Sequence, residues 1–172
     1  MLKGINIQLE TKRLILRPML QTDFDALLLI FTDPNVMAAF EHPPFTPEQM
    51  QRWLQRNLDH RHEFGYGLFS ILLKETGGLI GDCGLEQMDD MHAAELGYDL
   101  RSDVWSHGYA TEAAVAVRDY AFDVLRLPQL ISLIRVGNLA SRRVAEKVGM
   151  TLAEEFPRYG IQYWKYALEN HK

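Results

Sequence analysis

Residues 105–113 have the sequence Trp105-Ser106-His107-Gly108-Tyr109-Ala110-Thr111-Glu112-Ala113. They connect a predicted strand to a predicted helix through a short turn that contains one glycine. The first N–H groups of a helix have no helical partners, and the helix dipole adds partial positive charge at that end. This stretch therefore predicts an anion-binding turn suited to phosphate, or simply a turn that enters a helix. It lacks the Lys-Ser/Thr pair of a P-loop and the glycine pattern of a dinucleotide fold.

The segments on either side of this turn predict an α/β domain with a mixed sheet. Residues 93–100 alternate as a strand does. Small residues recur at spacings of three and four from Ala110 to Val124, which indicates a helix packed on a sheet. An aliphatic run at 130–136 follows this helix. A right-handed crossover would return that run to the same sheet, parallel to the strand at 93–100.

Shorter signals predict the remaining elements of the domain. The predicted strands are one at 7–17, a hairpin at 67–73 and 79–85, and two closing strands at 150–156 and 161–168. One helix is entered through a capping box of Thr22 and Asp25, and a second is started by Thr46-Pro47-Glu48 after a loop at 40–45. A third helix is capped by Asn138 and Gly149, with Ala140, Val144, Ala145 and Val148 on its inner face.

Composition restricts the class of protein. The chain has 172 residues without a linker or repeat, which predicts a single domain over residues 1–172. Its 18 Lys and Arg against 23 Asp and Glu give a net charge of −5, which disfavours a nucleic-acid surface and suits cationic substrates such as amines.

The single Cys83 excludes an internal disulfide and a thiolate metal cage, and its apolar strand predicts a core position. Neither the segment at 1–6 nor any apolar run indicates a signal peptide or membrane span, so we expect a cytoplasmic protein with no membrane partner.

Residues 138–150 form a second informative segment, Asn138-Leu139-Ala140-Ser141-Arg142-Arg143-Val144-Ala145-Glu146-Lys147-Val148-Gly149-Met150. Together with the stretch at 105–113, this segment resembles the paired motifs of the GNAT superfamily of acetyl-CoA-dependent acetyltransferases. Within that superfamily the chain resembles the RimJ/RimL-like group of protein N-terminal acetyltransferases. The similarity extends from the opening Leu9-Glu10-Thr11-Lys12-Arg13-Leu14-Ile15-Leu16-Arg17 to the closing strand.

The resemblance implies a GNAT-like fold, in which helices flank a central, mostly antiparallel sheet that contains a splayed parallel pair. It implies acetyl-CoA as cosubstrate and no metal. The cofactor's pyrophosphate would lie on the turn at 106–110, and its pantetheine arm would enter the wedge between the strands at 93–100 and 130–136. The cofactor-binding residues implied are Tyr98, Asp99, Leu100, Trp105, Ser106, His107, Gly108, Tyr109, Ala110, Thr111, Asn138, Ser141 and Arg142.

The catalytic residues that the resemblance implies are Glu95 and Ser141. Strand alternation places Glu95, Gly97 and Asp99 on one face of the strand. In the resembling group a glutamate at the place of Glu95 faces the acceptor tunnel, where it binds the incoming amine or takes its proton through water. A solvated edge carboxylate is the alternative. Ser141 matches a position near the sulfur and would stabilise the departing thiolate.

Two residues depart from the superfamily pattern. Trp105 stands where Gln or Arg commonly contacts phosphate, so we expect the backbone donors and His107 to contribute more. Ala145 stands where many relatives carry a tyrosine that protonates the thiolate, which leaves Ser141 as the nearest hydroxyl by motif. The loop at 40–46 lies where this fold admits its acceptor.

These expectations describe an N-acetyltransferase that moves the acetyl group of acetyl-CoA to a primary amine by direct attack in a ternary complex. The expected acceptor is a protein or peptide N-terminal α-amine. Two alternatives stay open: a small amine such as a polyamine, amino acid or aminoglycoside, and a non-catalytic acyl-CoA-binding module. The sequence leaves the oligomeric state open, a homodimer included.

Overall fold

The computed structural model describes residues 7–171, so the expectation about the segment at 1–6 lies outside the described residues. Within that range the strands are β1 (Leu9–Glu10), β2 (Leu14–Pro18), β3 (Leu68–Leu73), β4 (Leu79–Met88), β5 (Ala93–Leu100), β6 (Gln129–Arg135), β7 (Thr151–Arg158) and β8 (Ile161–Glu169). The α-helices are α1 (Phe24–Phe31), α2 (Pro34–Ala38), α3 (Pro47–Phe64), α4 (Tyr109–Asp119) and α5 (Leu139–Val148). No helix in the described range is both long and apolar enough to cross a bilayer.

All eight strands form one sheet in the order β1-β2-β3-β4-β5-β6-β8-β7. The pairing of β5 with β6 is parallel and the other described pairings are antiparallel. The parallel pair has only two registered positions, Ala94 with Leu130 and Glu95 with Ile131. Beyond Glu95 the two strands separate, while β6 continues to pair with β8 as far as Arg135. The predicted mixed sheet with a splayed parallel pair is confirmed.

Helices cover both faces of this sheet. On one face α4 buries Ala113, Ala114 and Val117 against the main core, so the predicted small-residue helix face is confirmed. Cys83 lies in the same core with no exposed surface, as predicted. The helices α1 and α3 contribute to a second apolar cluster that includes Leu68 of β3. The strands thus present one face to α4 and the other to the α1–α3 side.

The predicted single strand at 7–17 is wrong, because the chain folds back between β1 and β2. The N–H of Thr11 donates to the carbonyl of Leu14 at 3.0 Å. The N–H of Leu14 donates in turn to the Thr11 hydroxyl at 3.0 Å. These two bonds close a tight turn, after which the strands run antiparallel.

The predicted capping box of Thr22 and Asp25 is also wrong. The carboxylate of Asp23 accepts the N–H of Leu20 at 2.9 Å, so the entry to the first helix is stabilised by a different acid. Asp23 is buried and is held by the Arg17 guanidinium at 2.6 Å. A buried ion pair that involves a neighbouring strand fixes Asp23 in this position, and local spacing does not reveal it.

The helices α3 and α5 begin where the sequence predicts, and two other features of the helices differ from the prediction. Thr46 caps α3 through a capping box with Gln49, and Asn138 caps α5, as predicted. The short helix α2 was not predicted, because only five residues form it after a cap by Asp33. Ala140 was predicted on the inner face of α5 but is exposed, since the helix turns this position toward solvent in its first turn.

Candidate active site

The turn before α4 has the backbone of an anion-binding site. Ser106 and Gly108 both have left-handed conformations, with φ of 65° and 80°. Left-handed residues in a tight turn direct neighbouring N–H groups into one concave surface, which suits an anion. The helix then begins at Tyr109, and Glu112 already donates its N–H to the Gly108 carbonyl at 3.0 Å. Residues 106–108 are exposed, so we expect the N–H groups of this turn and the positive end of α4 to be accessible to an anion.

Arg13, immediately before β2, contacts this turn. Its Nη1 donates to the carbonyl of His107 at 2.9 Å, and its guanidinium lies 4.4 Å from the centre of the Tyr109 ring. Glu112 accepts the Arg13 N–H at 2.9 Å, the Arg13 Nε–H at 2.7 Å and the Thr11 hydroxyl at 2.6 Å. Burial opposes the charged form of Glu112, but these hydrogen bonds outweigh it and lower its pKa. Arg13 and Thr11 were not predicted to be part of the site, because they reach the turn from a distant part of the chain.

Replacement of Glu112 with alanine is expected to loosen the turn and lower the free energy of unfolding. The change leaves the Thr11 hydroxyl and the Arg13 guanidinium without their carboxylate, which costs about 1–2 kcal/mol. Thermal or urea unfolding measures this loss. The exposed pair of Glu10 and Lys74 provides the control, because Glu10→Ala removes an ion pair in solvent and should cause a much smaller change. Equal losses in the two variants would contradict the role of Glu112.

The wedge between β5 and β6 exposes backbone groups of β5. The Ser132 hydroxyl of β6 donates to the Leu96 carbonyl at 2.7 Å, so the backbone groups of Leu96 face β6. Successive residues of a strand direct these groups to alternate edges, so Tyr98 and Leu100 face the wedge as well. The Leu100 carbonyl accepts the Trp105 indole N–H at 2.9 Å. The Tyr98 N–H is therefore placed to donate to a carbonyl inside the wedge.

The far wall of the wedge is the first turn of α5. The Asn138 side chain accepts the Ser141 N–H at 3.2 Å and so caps the helix. From β5, the Tyr98 hydroxyl donates to the Ser141 carbonyl at 2.7 Å. Burial raises the pKa of this phenol above its ordinary value, which keeps it protonated. Ser141 and the Tyr98 hydroxyl thus lie together where β5 meets α5.

Glu95 lies at the point where the parallel strands part. Its Oε1 accepts the N–H of Leu133 at 3.2 Å, which satisfies a backbone donor of β6 beyond the last registered pair. Burial raises the pKa of Glu95 to about 7; the Leu133 N–H opposes this shift and the charge of Glu86 adds to it. A carboxyl of this kind exchanges a proton near neutral pH, which is what a general base requires.

Asp99 shares the face of β5 with Glu95, and Gly97 stands between them. A Cβ added at Gly97 would meet no atom within 4 Å, so the space above it is open. Burial raises the pKa of Asp99 to about 7, with a further contribution from Glu86. The register places Asp99 in one row with Asp82 and Ser70, on the face that Leu68 shares with α1 and α3, apart from the backbone groups that face the wedge.

The loop at 40–46 contacts the end of β6. The guanidinium of Arg135 donates to the Phe40 carbonyl and forms a 2.8 Å ion pair with Glu41. Arg135 lies on the same side of the sheet as Leu133, two residues earlier on the strand. The loop that was predicted to admit the acceptor is thus fixed to the strand that forms one wall of the wedge.

Residues 13–151 match the acetyltransferase (GNAT) domain family. The chain belongs to the GNAT acetyltransferase superfamily. YkkB of Bacillus subtilis (strain 168), described as uncharacterized, is 38% identical over 148 residues, 83% of this chain and 84% of that protein. The crystal structure of the acetyltransferase from Agrobacterium tumefaciens str. C58 has a TM-score of 0.83 and 35% identity, and covers 95% of this chain and 94% of that chain. The ribosomal-protein-S5-alanine acetyltransferase from Vibrio fischeri has a TM-score of 0.79 over 96% of this chain and 98% of that chain, and its 19% identity shows the fold alone.

These matches confirm the predicted superfamily and the acetyltransferase activity. Membership in the RimJ/RimL-like group stays a prediction. GNAT acetyltransferases use acetyl-CoA, and this acetyltransferase has groups that fit its diphosphate and its thioester. The turn at 106–108 offers N–H groups to a diphosphate, and the Tyr98 N–H is placed to meet a thioester carbonyl in the wedge.

Other residues of the predicted cofactor site have partners within the protein. His107 stacks on Tyr109 with ring centres 5.7 Å apart, and its Nδ1 donates to the Trp105 carbonyl at 2.8 Å. Ala110 and Thr111 lie half-buried in the first turn of α4. These contacts shape the turn itself, so the roles of these side chains toward the cofactor stay predictions.

The Arg142 side chain contacts Glu146 and Trp164. Its Nε donates to Glu146 at 2.8 Å, and its guanidinium lies 5.3 Å from the centre of the Trp164 ring. These contacts hold the Arg142 side chain against α5 and β8, and its role in binding the cofactor stays a prediction. Within residues 7–171 no group of three His, Cys, Asp or Glu side chains is arranged to hold a metal ion.

Proposed function

We propose that this protein transfers the acetyl group of acetyl-CoA to a primary amine by direct attack within a ternary complex, and that the acceptor is the α-amine of a protein or peptide. The observation that carries the proposal is the position of Glu95. Its carboxyl has a pKa of about 7 and lies where β5 and β6 part, three residues before the Tyr98 N–H that faces the wedge.

Each requirement of amide formation has a residue to meet it. Acetyl-CoA supplies an activated acyl carbon when bound. Glu95 accepts the proton of the incoming amine, directly or through water, because its carboxylate form is available near neutral pH. The Tyr98 N–H stabilises negative charge on the acyl oxygen. The hydroxyl of Ser141, on the first turn of α5, stabilises the departing thiolate sulfur.

The ordinary pKa values of amines favour an N-terminal acceptor. An α-amine has a pKa of about 8, whereas a lysine side chain has one of about 10.4, so far more of the α-amine is neutral at pH 7. A base whose own pKa is about 7 therefore suits an α-amine better. A small amine is the second candidate, because two carboxyl groups, Glu95 and Asp99, flank the open space above Gly97 and would attract a compact cation.

Thiol release from acetyl-CoA tests the proposal. The purified protein is incubated with acetyl-CoA and a panel of N-terminal peptides, amino acids, diamines and aminoglycosides. Turnover with peptides supports the N-terminal acceptor, and turnover with small amines alone supports the second candidate. Saturable coenzyme A binding without thiol release from any acceptor would overturn the proposal in favour of a binding module.

The value of kcat/KM is expected to rise as the pH increases through about 7. Glu95 accepts a proton only in its ionised form, which predominates above its pKa of about 7. The charged groups that influence it are Glu86, Asp99 and Arg158. Rates of thiol release between pH 5.5 and 9, at saturating acetyl-CoA, measure the profile. In Glu95→Gln the step near 7 should vanish and leave only the rise from the acceptor amine; a step that persists would contradict the assignment.

A further inference from the structure

Asp82 of β4 is a buried carboxylate without a partner. Its relative exposure is 1%, and neither of its oxygens forms a hydrogen bond with the described residues. It lies opposite Asp99 of β5 and opposite Ser70 of β3, so the three side chains form one row on the α1–α3 side of the sheet. The hydroxyl of Ser70 donates to Asp23 at 2.7 Å, which directs it away from Asp82.

An ionised carboxylate in such a place is costly unless a cation or a donor accompanies it. Burial and the neighbouring Asp99 both raise the pKa of Asp82 well above its ordinary value. Arg17 follows in the same row on β2, but it is engaged by Asp23 through hydrogen bonds of 2.6 and 2.8 Å. Among the described residues, no ion pair therefore compensates Asp82.

The pair of Asp82 and Asp99 connects to the space where the acceptor enters. Asp99 is half-buried and borders the open space above Gly97, with Glu95 on the other side of that glycine. Asp99 lies four positions after Glu95 on the strand, a Cα distance of roughly 13 Å. A molecule with its reacting amine at Glu95 would thus extend along β5 toward Asp99.

We propose that the acceptor carries a second cationic group, an ammonium or guanidinium, which binds Asp99 with Asp82 behind it while the reacting amine lies at Glu95. The inference rests on the proposed function and specifies its substrate. Two sources offer this chemistry: a small diamine or polyamine, and a peptide whose second residue is basic. The unpartnered Asp82 is the independent observation that distinguishes this site from a merely acidic surface.

Matched acceptor pairs test the inference. One pair is 1,5-diaminopentane and pentylamine; the other is two otherwise identical peptides with lysine or norleucine at the second position. We expect kcat/KM to be roughly tenfold higher for the dicationic member of at least one pair, as one charge-assisted contact predicts. A preference in the amine pair identifies a small-molecule acceptor, and a preference in the peptide pair identifies an N-terminal acceptor.

Variants then assign the preference to the two aspartates. In Asp99→Asn and Asp82→Asn the ratio of kcat/KM between dication and monocation should fall toward one, chiefly through KM. Asp59→Asn, on the exposed surface of α3, is the matched control and should keep the ratio. Thermal unfolding and coenzyme A affinity report whether each variant folds; if Asp82→Asn does not, Asp99→Asn decides alone.

The outcomes separate this inference from the proposed function. Equal use of dication and monocation in both pairs, or a ratio that persists in folded Asp99→Asn, overturns the second-cation site while acetyl transfer stands. Absence of thiol release with every acceptor in the unaltered protein overturns the proposed function and the inference together. A ratio that falls in Asp99→Asn and not in Asp59→Asn supports both.

Discussion

Replacing Glu95 with glutamine is expected to lower kcat by about a hundredfold or more, the usual contribution of a positioned general base. Glutamine keeps the side-chain length and a carbonyl oxygen for the Leu133 N–H, but it cannot accept a proton from the amine. The affinity for acetyl-CoA should stay close to that of the unaltered protein, because the turn at 106–108, where we expect the diphosphate to bind, follows the other end of β5. Steady-state thiol release and coenzyme A titration measure the two quantities separately.

Glu86 offers the matched control for this variant. It pairs across the sheet with Glu95 and its charge contributes to the raised pKa of that residue. Glu86→Gln should therefore retain turnover at pH 8 and shift the acid limb of the profile to a lower pH. If Glu95→Gln retains full turnover at saturating acceptor, or if both variants lose it equally, Glu95 is not the base.

Replacing Gly108 with valine is expected to weaken acetyl-CoA binding by about tenfold to a hundredfold, the strain of a β-branched residue at positive φ. The φ of Gly108 is 80°, and a Cβ there would lie 3.6 Å from the Arg13 guanidinium. The added methyl groups would crowd the Arg13 guanidinium, and relief of the strain would rotate the N–H groups of the turn away from the anion. Isothermal titration with coenzyme A measures the dissociation constant.

Gly65 provides a control with the same backbone. It ends α3 with φ of 80° and ψ of 0°, close to the 80° and 8° of Gly108, and it lies at the other end of the sheet. Gly65→Val should lose comparable stability and keep its affinity for coenzyme A. Equal affinity in the two variants would mean that the turn before α4 does not bind the diphosphate.

The helices and strands around the proposed cofactor site could be predicted because their signals are local. A glycine at a helix start, small residues along α4 and an asparagine cap on α5 each act through neighbours a few residues away. The parallel return of β6 followed from the handedness of crossovers, which leaves few alternatives. The superfamily motifs then placed Glu95 at the wedge, and the structure adds its contact with Leu133.

The proposed acceptor site could not be predicted in full, since Asp82 and Asp99 meet only through long-range pairing. Asp82 and Asp99 are 17 positions apart, and only the register of β4 against β5 makes them neighbours. Arg13 reaches the turn before α4 from the opposite end of the chain. The capping box of Thr22 and Asp25 failed for the same reason, because a strand residue, Arg17, determines which acid is buried.

The short registered contact between β5 and β6 divides the sheet into two blocks of unequal size. One block contains β1 to β5, and the other contains β6, β8 and β7 with α5. A ligand bound in the wedge contacts both blocks and so stabilises the contact between them. By mass action such a ligand raises the free energy of unfolding with the logarithm of its concentration above the dissociation constant, so we expect the enzyme to melt at a higher temperature with the ligand bound than without it.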